Sequence, residues 1–163
     1  MGLVVAKLGS TIVSDPQGNL RQEVLDSVCA DVASLKGQGH QVVIVSSGAI
    51  ARGVAELGLG KRPTGLDDLQ AASAVGQAAL FQAWRSEFSK HEIHTAQVLL
   101  TLHDIEERAS NVRVAATLRK LLEWGAVPII NENDTTTTEE ITFGDNDVLA
   151  AQVAILLGAE RLV

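Results

Sequence analysis

The sequence predicts an α/β chain, a three-layer αβα sandwich on a mainly parallel sheet. Three observations carry that expectation. Short runs that are apolar on both faces, such as Val42-Val43-Ile44-Val45 and Val127-Pro128-Ile129-Ile130, read as buried strands. Apolar residues between them recur at helical spacing. Runs and helices alternate, as they do when helices cover both faces of a parallel sheet.

Leu3-Val4-Val5-Ala6 is the first expected strand, and it breaks at Lys7-Leu8-Gly9-Ser10-Thr11. A loop with Asp15, Pro16, Gly18 and Asn19 follows. Val24, Leu25, Val28, Cys29, Val32 and Leu35 define a helix that stops at Gly37-Gln38-Gly39, with Cys29 on its apolar face. The strand Val42 to Val45 runs into Ser46-Ser47-Gly48, and a helix is expected from Ala49. Gly58 to Gly65 reads as a loop. From Asp67 an Ala-rich helix carries Leu69, Ala72, Val75, Ala79, Leu80, Trp84 and Phe88 to about Lys90-His91. Ala96 to Leu100 is the third strand, Asp104 to Arg108 a polar helical turn, and Asn111 to Trp124 a helix closed by Gly125. After the strand Val127 to Ile130, Thr135 to Thr142 reads as a small hairpin. A helix then follows from Asp145, with Val148, Leu149, Val153 and Leu156, and stops at Gly158. Arg161-Leu162-Val163 begins a further strand. A chain that ends as a strand begins reads as truncated.

Composition narrows the function classes. The 163 residues are 46% hydrophobic but only 3% aromatic, so the core is aliphatic and base-stacking platforms are not expected. A net charge of -7 argues against nucleic acid or an anionic membrane as partner. The single cysteine, Cys29, allows no internal disulfide. The start MGLVVAKLGS has no signal-peptide pattern and no apolar run is long enough to span a membrane, so the expected location is cytoplasmic. His91 and His94 have ligand-like spacing but no third partner, and no metal site is expected.

Three strand ends carry polar segments: Lys7-Leu8-Gly9-Ser10, Ser46-Ser47-Gly48-Ala49 and Asn131-Glu132-Asn133-Asp134. A parallel sheet gathers such segments at one edge, where ligands bind. Gly9 and Gly48 let backbone amides approach an anion, and Lys7 adds a positive charge suited to phosphate. The second acidic cluster, Gly144-Asp145-Asn146-Asp147, opens a helix close to the third strand end. Together the two clusters suit a ligand with both an ammonium and a carboxylate. Taken singly, each has a plainer explanation: Asp145 and Asp147 as helix caps, Asn133-Asp134 as a turn, Lys7 as a charge at a strand end. No Gly-x-x-x-x-Gly-Lys-Ser/Thr loop is present.

Lys7-Leu8-Gly9-Ser10, Ser47-Gly48-Ala49-Ile50-Ala51, Asn131-Glu132-Asn133-Asp134 and Phe143-Gly144-Asp145-Asn146-Asp147 together resemble the glutamate 5-kinases of the amino acid kinase family. Val75-Gly76-Gln77 and Leu99-Leu100-Thr101 add to the resemblance, which covers nearly the whole chain. It implies transfer of the ATP γ-phosphoryl group to the side-chain carboxylate of L-glutamate with Mg²⁺, the first step of proline biosynthesis. It places Lys7 at the phosphates, with Gly9, Ser10 and Gly48 lining the transfer site. Ser47, Asp134 and Asn146 would hold glutamate, Asp134 facing the α-ammonium, and Asp147 would orient catalytic lysines. It also implies homo-oligomers and feedback by proline. The family's nucleotide-binding half follows the region matched here, so residues 1–163 are expected to form the amino-acid-binding part and to be inactive alone. A related kinase acting on N-acetylglutamate, or a non-catalytic amino-acid-binding module, are the competing readings.

Overall fold

A computed structural model of the chain describes residues 2–136 and 145–163. The segment expected as a hairpin and the Phe143-Gly144 part of the acidic motif lie largely outside those residues.

The strand β2 (Gln41–Ser46) shows why a sheet forms and why it is covered twice. Every residue after Gln41 is buried. Val42 and Ile44 pack with Leu25, Cys29 and Val32 of α2 (Gln22–Gly37) and with Leu80, Trp84 and Phe88 of α4 (Leu66–Ser89). Val43 and Val45 face the other way. They pack with Ile105 of α5 (Leu102–Glu106), Leu118 and Leu122 of α6 (Arg108–Glu123), and Leu149 and Val153 of α7 (Asp145–Leu157). Side chains alternate across a strand, so a run of β-branched residues feeds both cores at once.

Among the described residues the sheet has five strands in the order β3-β4-β2-β1-β5, all paired parallel. The others are β1 (Leu3–Leu8), β3 (Thr95–Leu100), β4 (Val127–Glu132) and the short β5 (Arg161–Leu162). Connections from β1 and β2 run toward the β3 edge with α2 and α4 on one face. Connections from β3 and β4 run back toward β5 with α5, α6 and α7 on the opposite face. Reversing direction and face together keeps a single crossover hand. The adjacent strands β2 and β4 therefore send their connections to opposite faces, which opens a crevice at their carboxyl ends.

Several boundaries differ from the expectation. β1 continues through Lys7 and Leu8, and β4 through Asn131 and Glu132, so these polar residues sit within strands rather than loops. A short helix, α1 (Ser10–Val13), follows Gly9 where a loop was expected. α6 starts three residues before Asn111 because the Glu107 carboxylate accepts from the Ala109 and Ser110 amides. Those bonds hold the Glu107 carboxyl below its usual range. His91 and His94 lie in the turn between α4 and β3, not on the helix. Cys29 is fully buried as expected. No helix among the described residues is long and apolar enough to cross a membrane.

The helix α3 (Ala49–Glu56) crosses α4 at two glycines. A Cβ on Gly76 would collide with the Ala49 carbonyl and the Gly53 amide, and one on Gly53 with the Ala72 carbonyl. Only glycines let the two helices approach this closely.

Gly76→Ala is therefore expected to destabilise the chain by at least ~1–3 kcal/mol, the usual cost of forcing atoms into a packed contact, read from urea denaturation midpoints. Burial pushes the Cys29 thiol up to about 12, with the Glu87 and Asp26 carboxylates adding to it. The native thiol stays protonated at pH 8 and should react with a thiol reagent only after urea is added. Unfolded thiols titrate near ~8.5, so the stability held by this thiol is intact below that pH. It declines as pH rises toward the folded value.

Candidate active site

The crevice is built from strand ends in register. Leu8 of β1 pairs with Ser46 of β2, and Ser47 donates its backbone N–H to the Leu8 carbonyl at 2.9 Å. Ser46 is fully buried because its hydroxyl accepts from the Trp84 indole at 3.0 Å, which fixes the end of β2. Gly48 then turns the chain into α3 at φ +113°, a region that disfavours any side chain. A Cβ there would also lie 3.3 Å from the Ser14 hydroxyl. Ser47 is thus delivered at the mouth of the crevice, beside a helix N-terminus whose first amides lack intrahelical partners.

Next to it, β4 ends in Asn131-Glu132 and leads to a turn at Asp134, with Asn131 and Asp134 both buried. Two residues one turn apart on α4 hold them. Gln77 Oε1 accepts from Asn131 Nδ2 at 2.7 Å, and the Ser73 hydroxyl donates to Asp134 Oδ2 at 2.5 Å. The Glu132 backbone N–H, which can only donate, reaches Asn131 Oδ1 at 2.8 Å. That contact fixes which way the Asn131 amide faces.

The first turn of α7 closes the site. Asn146 Nδ2 donates to Ser47 Oγ at 2.8 Å and to Asn131 Oδ1 at 3.0 Å, joining the β2 and β4 ends. The next residue, Asp147, pairs with the Lys7 ammonium at 2.5 Å. That ammonium lies over Gly9, where a Cβ would sit 3.3 Å from Nζ. The Asp147 side chain is 64% exposed, so the pair adds at most about 1 kcal/mol to stability. Its effect is to place a cation.

Lys7, Ser47, Asn146 and Asp147 thus meet at the strand ends, with Gly9 and Gly48 beside them, while Asp134 connects to this group through α4, whose Ser73 bonds it and whose Gln77 bonds Asn131. Ser10 opens α1 next to Gly9 but takes no part in the hydrogen-bond network described here. Sequence reasoning assigned no role to Asn131, Ser73 or Gln77. The available signal was on α4, where Ser73 and Gln77 interrupt an otherwise apolar stripe of Leu69, Ala72, Leu80 and Trp84. A cavity of about 280 Å³ is lined by residues that include Ser73, Gln77, Gln97, Leu99, Asn133 and Asp134. The described residues contain no group of three or more His, Cys, Asp or Glu side chains that could hold a metal ion.

Asn131→Leu should destabilise the chain by about 1–3 kcal/mol, because Gln77 and the Glu132 amide lose their partner in a buried setting. Asp147→Asn should change stability by less than about 1 kcal/mol. Paired urea titrations compare the two directly.

The chain matches the model of the amino acid kinase family over residues 2–163. A glutamate 5-kinase from Agrobacterium fabrum is 51% identical over 160 residues, which cover 98% of this chain and 41% of that protein. A glutamate 5-kinase from Rhizobium etli is 50% identical over 98% of this chain and 41% of its own length. One from Aromatoleum aromaticum is 49% identical over 98% of this chain and 43% of its own length. The chain thus spans 41 to 43% of the length of these curated relatives. With the family match spanning residues 2–163 and the polar strand ends gathered at one crevice, the chain belongs to the amino acid kinase family.

Proposed function

We propose that this chain is the amino-acid-binding part of a glutamate 5-kinase, the enzyme that phosphorylates the side-chain carboxylate of L-glutamate with ATP. One observation carries the reading. Consecutive residues at the start of α7 serve two chemically different groups: Asn146 bonds the amide and hydroxyl wall, and Asp147 holds the Lys7 ammonium. An acceptor amino acid and a phosphoryl group are thereby offered neighbouring places.

In this reading Asp134 faces the α-ammonium, and Ser47 and Asn146 complete the glutamate site. The glutamate side chain, with an unperturbed pKa near ~4.3, is already ionised, so no general base is needed. Its oxygen forms a bond to the γ-phosphorus while the bond to the β–γ bridging oxygen breaks, giving an acyl phosphate and ADP. Lys7, steered by Asp147, offsets the negative charge as the two anions approach. The backbone at Gly9, Gly48 and the α3 N-terminus fits phosphate oxygens, and Ser10 borders that place. Mg²⁺ would supply further charge neutralisation on the nucleotide phosphates, and no protein ligand is assigned to it. Catalysis rests on alignment and charge, as phosphoryl transfer requires. Homo-oligomeric assembly and feedback by proline accompany the reading as family expectations.

Titration calorimetry on the 163-residue chain should show binding of L-glutamate and not of N-acetylglutamate, which lacks the free ammonium. Asp134→Asn should weaken glutamate binding at least about tenfold, the scale of a hydrogen bond to a charged group. The same chain, given ATP, Mg²⁺, glutamate and hydroxylamine, should form no hydroxamate, because the nucleotide-binding part is assigned elsewhere. Absent glutamate binding would refute the acceptor assignment, and robust hydroxamate formation would refute the division into parts.

A further inference from the structure

We propose that Ser73 and Gln77 of α4 are positioning residues that set selectivity for the α-ammonium of the acceptor. The proposal rests on the reading of Asp134 and Asn146 as glutamate ligands and extends it to two side chains that need not touch the substrate.

The argument starts from hydrogen-bond polarity. A backbone N–H cannot accept, so the Glu132 amide fixes Asn131 Oδ1 as the acceptor side. Asn131 Nδ2 must then face an acceptor, and Gln77 Oε1 supplies it at 2.7 Å. Because Asn131 shows Oδ1 to the crevice, Asn146 must answer with Nδ2, which also reaches Ser47 Oγ. Asn146 Oδ1 is left buried and without a partner among the described residues. A buried acceptor without a donor is costly, and a donor brought by a ligand relieves that cost. An ammonium is such a donor; a carboxylate is not. Gln77, more than nine-tenths buried, therefore reinforces the orientation that the Glu132 amide sets, and with it which face of the Asn146 amide meets the ligand.

Ser73 performs the parallel task for Asp134. It is 4% exposed, and its hydroxyl donates to Asp134 Oδ2. This bond engages one carboxylate oxygen and fixes the plane of the group. Ser73 and Gln77 stand four residues apart on one face of α4, so a single rigid helix sets both acceptors. The close α3–α4 crossing at Gly53 and Gly76 keeps that helix in place.

The test compares L-glutamate with glutarate, which differs by lacking the α-ammonium. Calorimetry on the chain would measure both ligands with wild type, Ser73→Ala, Ser73→Thr and Gln77→Met. Ser73→Ala and Gln77→Met should each lower the glutamate-over-glutarate preference by about tenfold. Ser73→Thr retains the hydroxyl and should stay near wild type. A thermal melt on each variant separates this from loss of fold, since a purely structural role would weaken both ligands alike. Equal weakening of both ligands, or an unchanged preference in Ser73→Ala and Gln77→Met, would overturn the proposal. Failure of the wild-type chain to bind glutamate would instead overturn the function on which the proposal rests, and it is read first.

Discussion

The Asn146 side-chain amide holds the site together. One nitrogen bonds Ser47 at the end of β2 and Asn131 at the end of β4. Those strands are neighbours whose connections leave for opposite faces. A side chain from α7 joins their ends. The adjacent Asp147 then ties β1 into the same assembly through Lys7. Three strand ends and one helix N-terminus are joined by two consecutive residues.

That assembly depends on a scaffold that cannot relax. The two apolar cores bury alternate residues of β2 to near completion, so the height at which Ser46 and Ser47 emerge is set by packing rather than by the loop. The Trp84 indole pins Ser46 from the α4 side. The glycine crossing sets α3, and with it Gly48, against the same helix that carries Ser73 and Gln77. α4 is therefore in contact with both sides of the crevice. A shift of that one helix would move the acceptor groups and the α3 N-terminus together.

The fold was legible because it is written in apolar pattern. Runs such as Val42 to Val45 have no amphipathic face, and that alone calls for cover on both sides. Boundaries were less legible where polarity and backbone disagree. Lys7, Asn131 and Glu132 look like loop residues, yet their main chains continue the ladder, because a parallel strand ends where its partners end. α1 was missed because four residues carry too little periodicity to register. Lys7, Ser47, Asp134, Asn146 and Asp147 were legible as clusters at strand ends and at a helix start. Ser73 and Gln77 were not, because a small polar residue in an Ala-rich helix resembles a surface position. Only the partner it meets across 54 or 61 residues of sequence reveals otherwise.

The two halves of the crevice are made of different physical material, and the difference suits different tasks. Around Asp134 and Asn131 the groups are buried: the Ser73 hydroxyl donates to the carboxylate, Gln77 and Asn146 bond the Asn131 amide, and each of these bonds has a fixed donor and acceptor. In a low-dielectric setting a mismatched ligand leaves one of these groups unpaired, at a cost of about 1–3 kcal/mol. Under the proposed function, selectivity for one acceptor follows from that rigidity. Around Lys7 and Asp147 the carboxylate is largely exposed and the lysine partly so, which leaves the pair weak as a stabilising contact. In the same proposal, a long lysine side chain steered by a carboxylate would follow phosphate oxygens as bonds to phosphorus lengthen and shorten. Under the proposed function, recognising one amino acid calls for the first to be stiff, and accompanying a moving phosphoryl group calls for the second to yield. The first turn of α7 joins the two without making them alike.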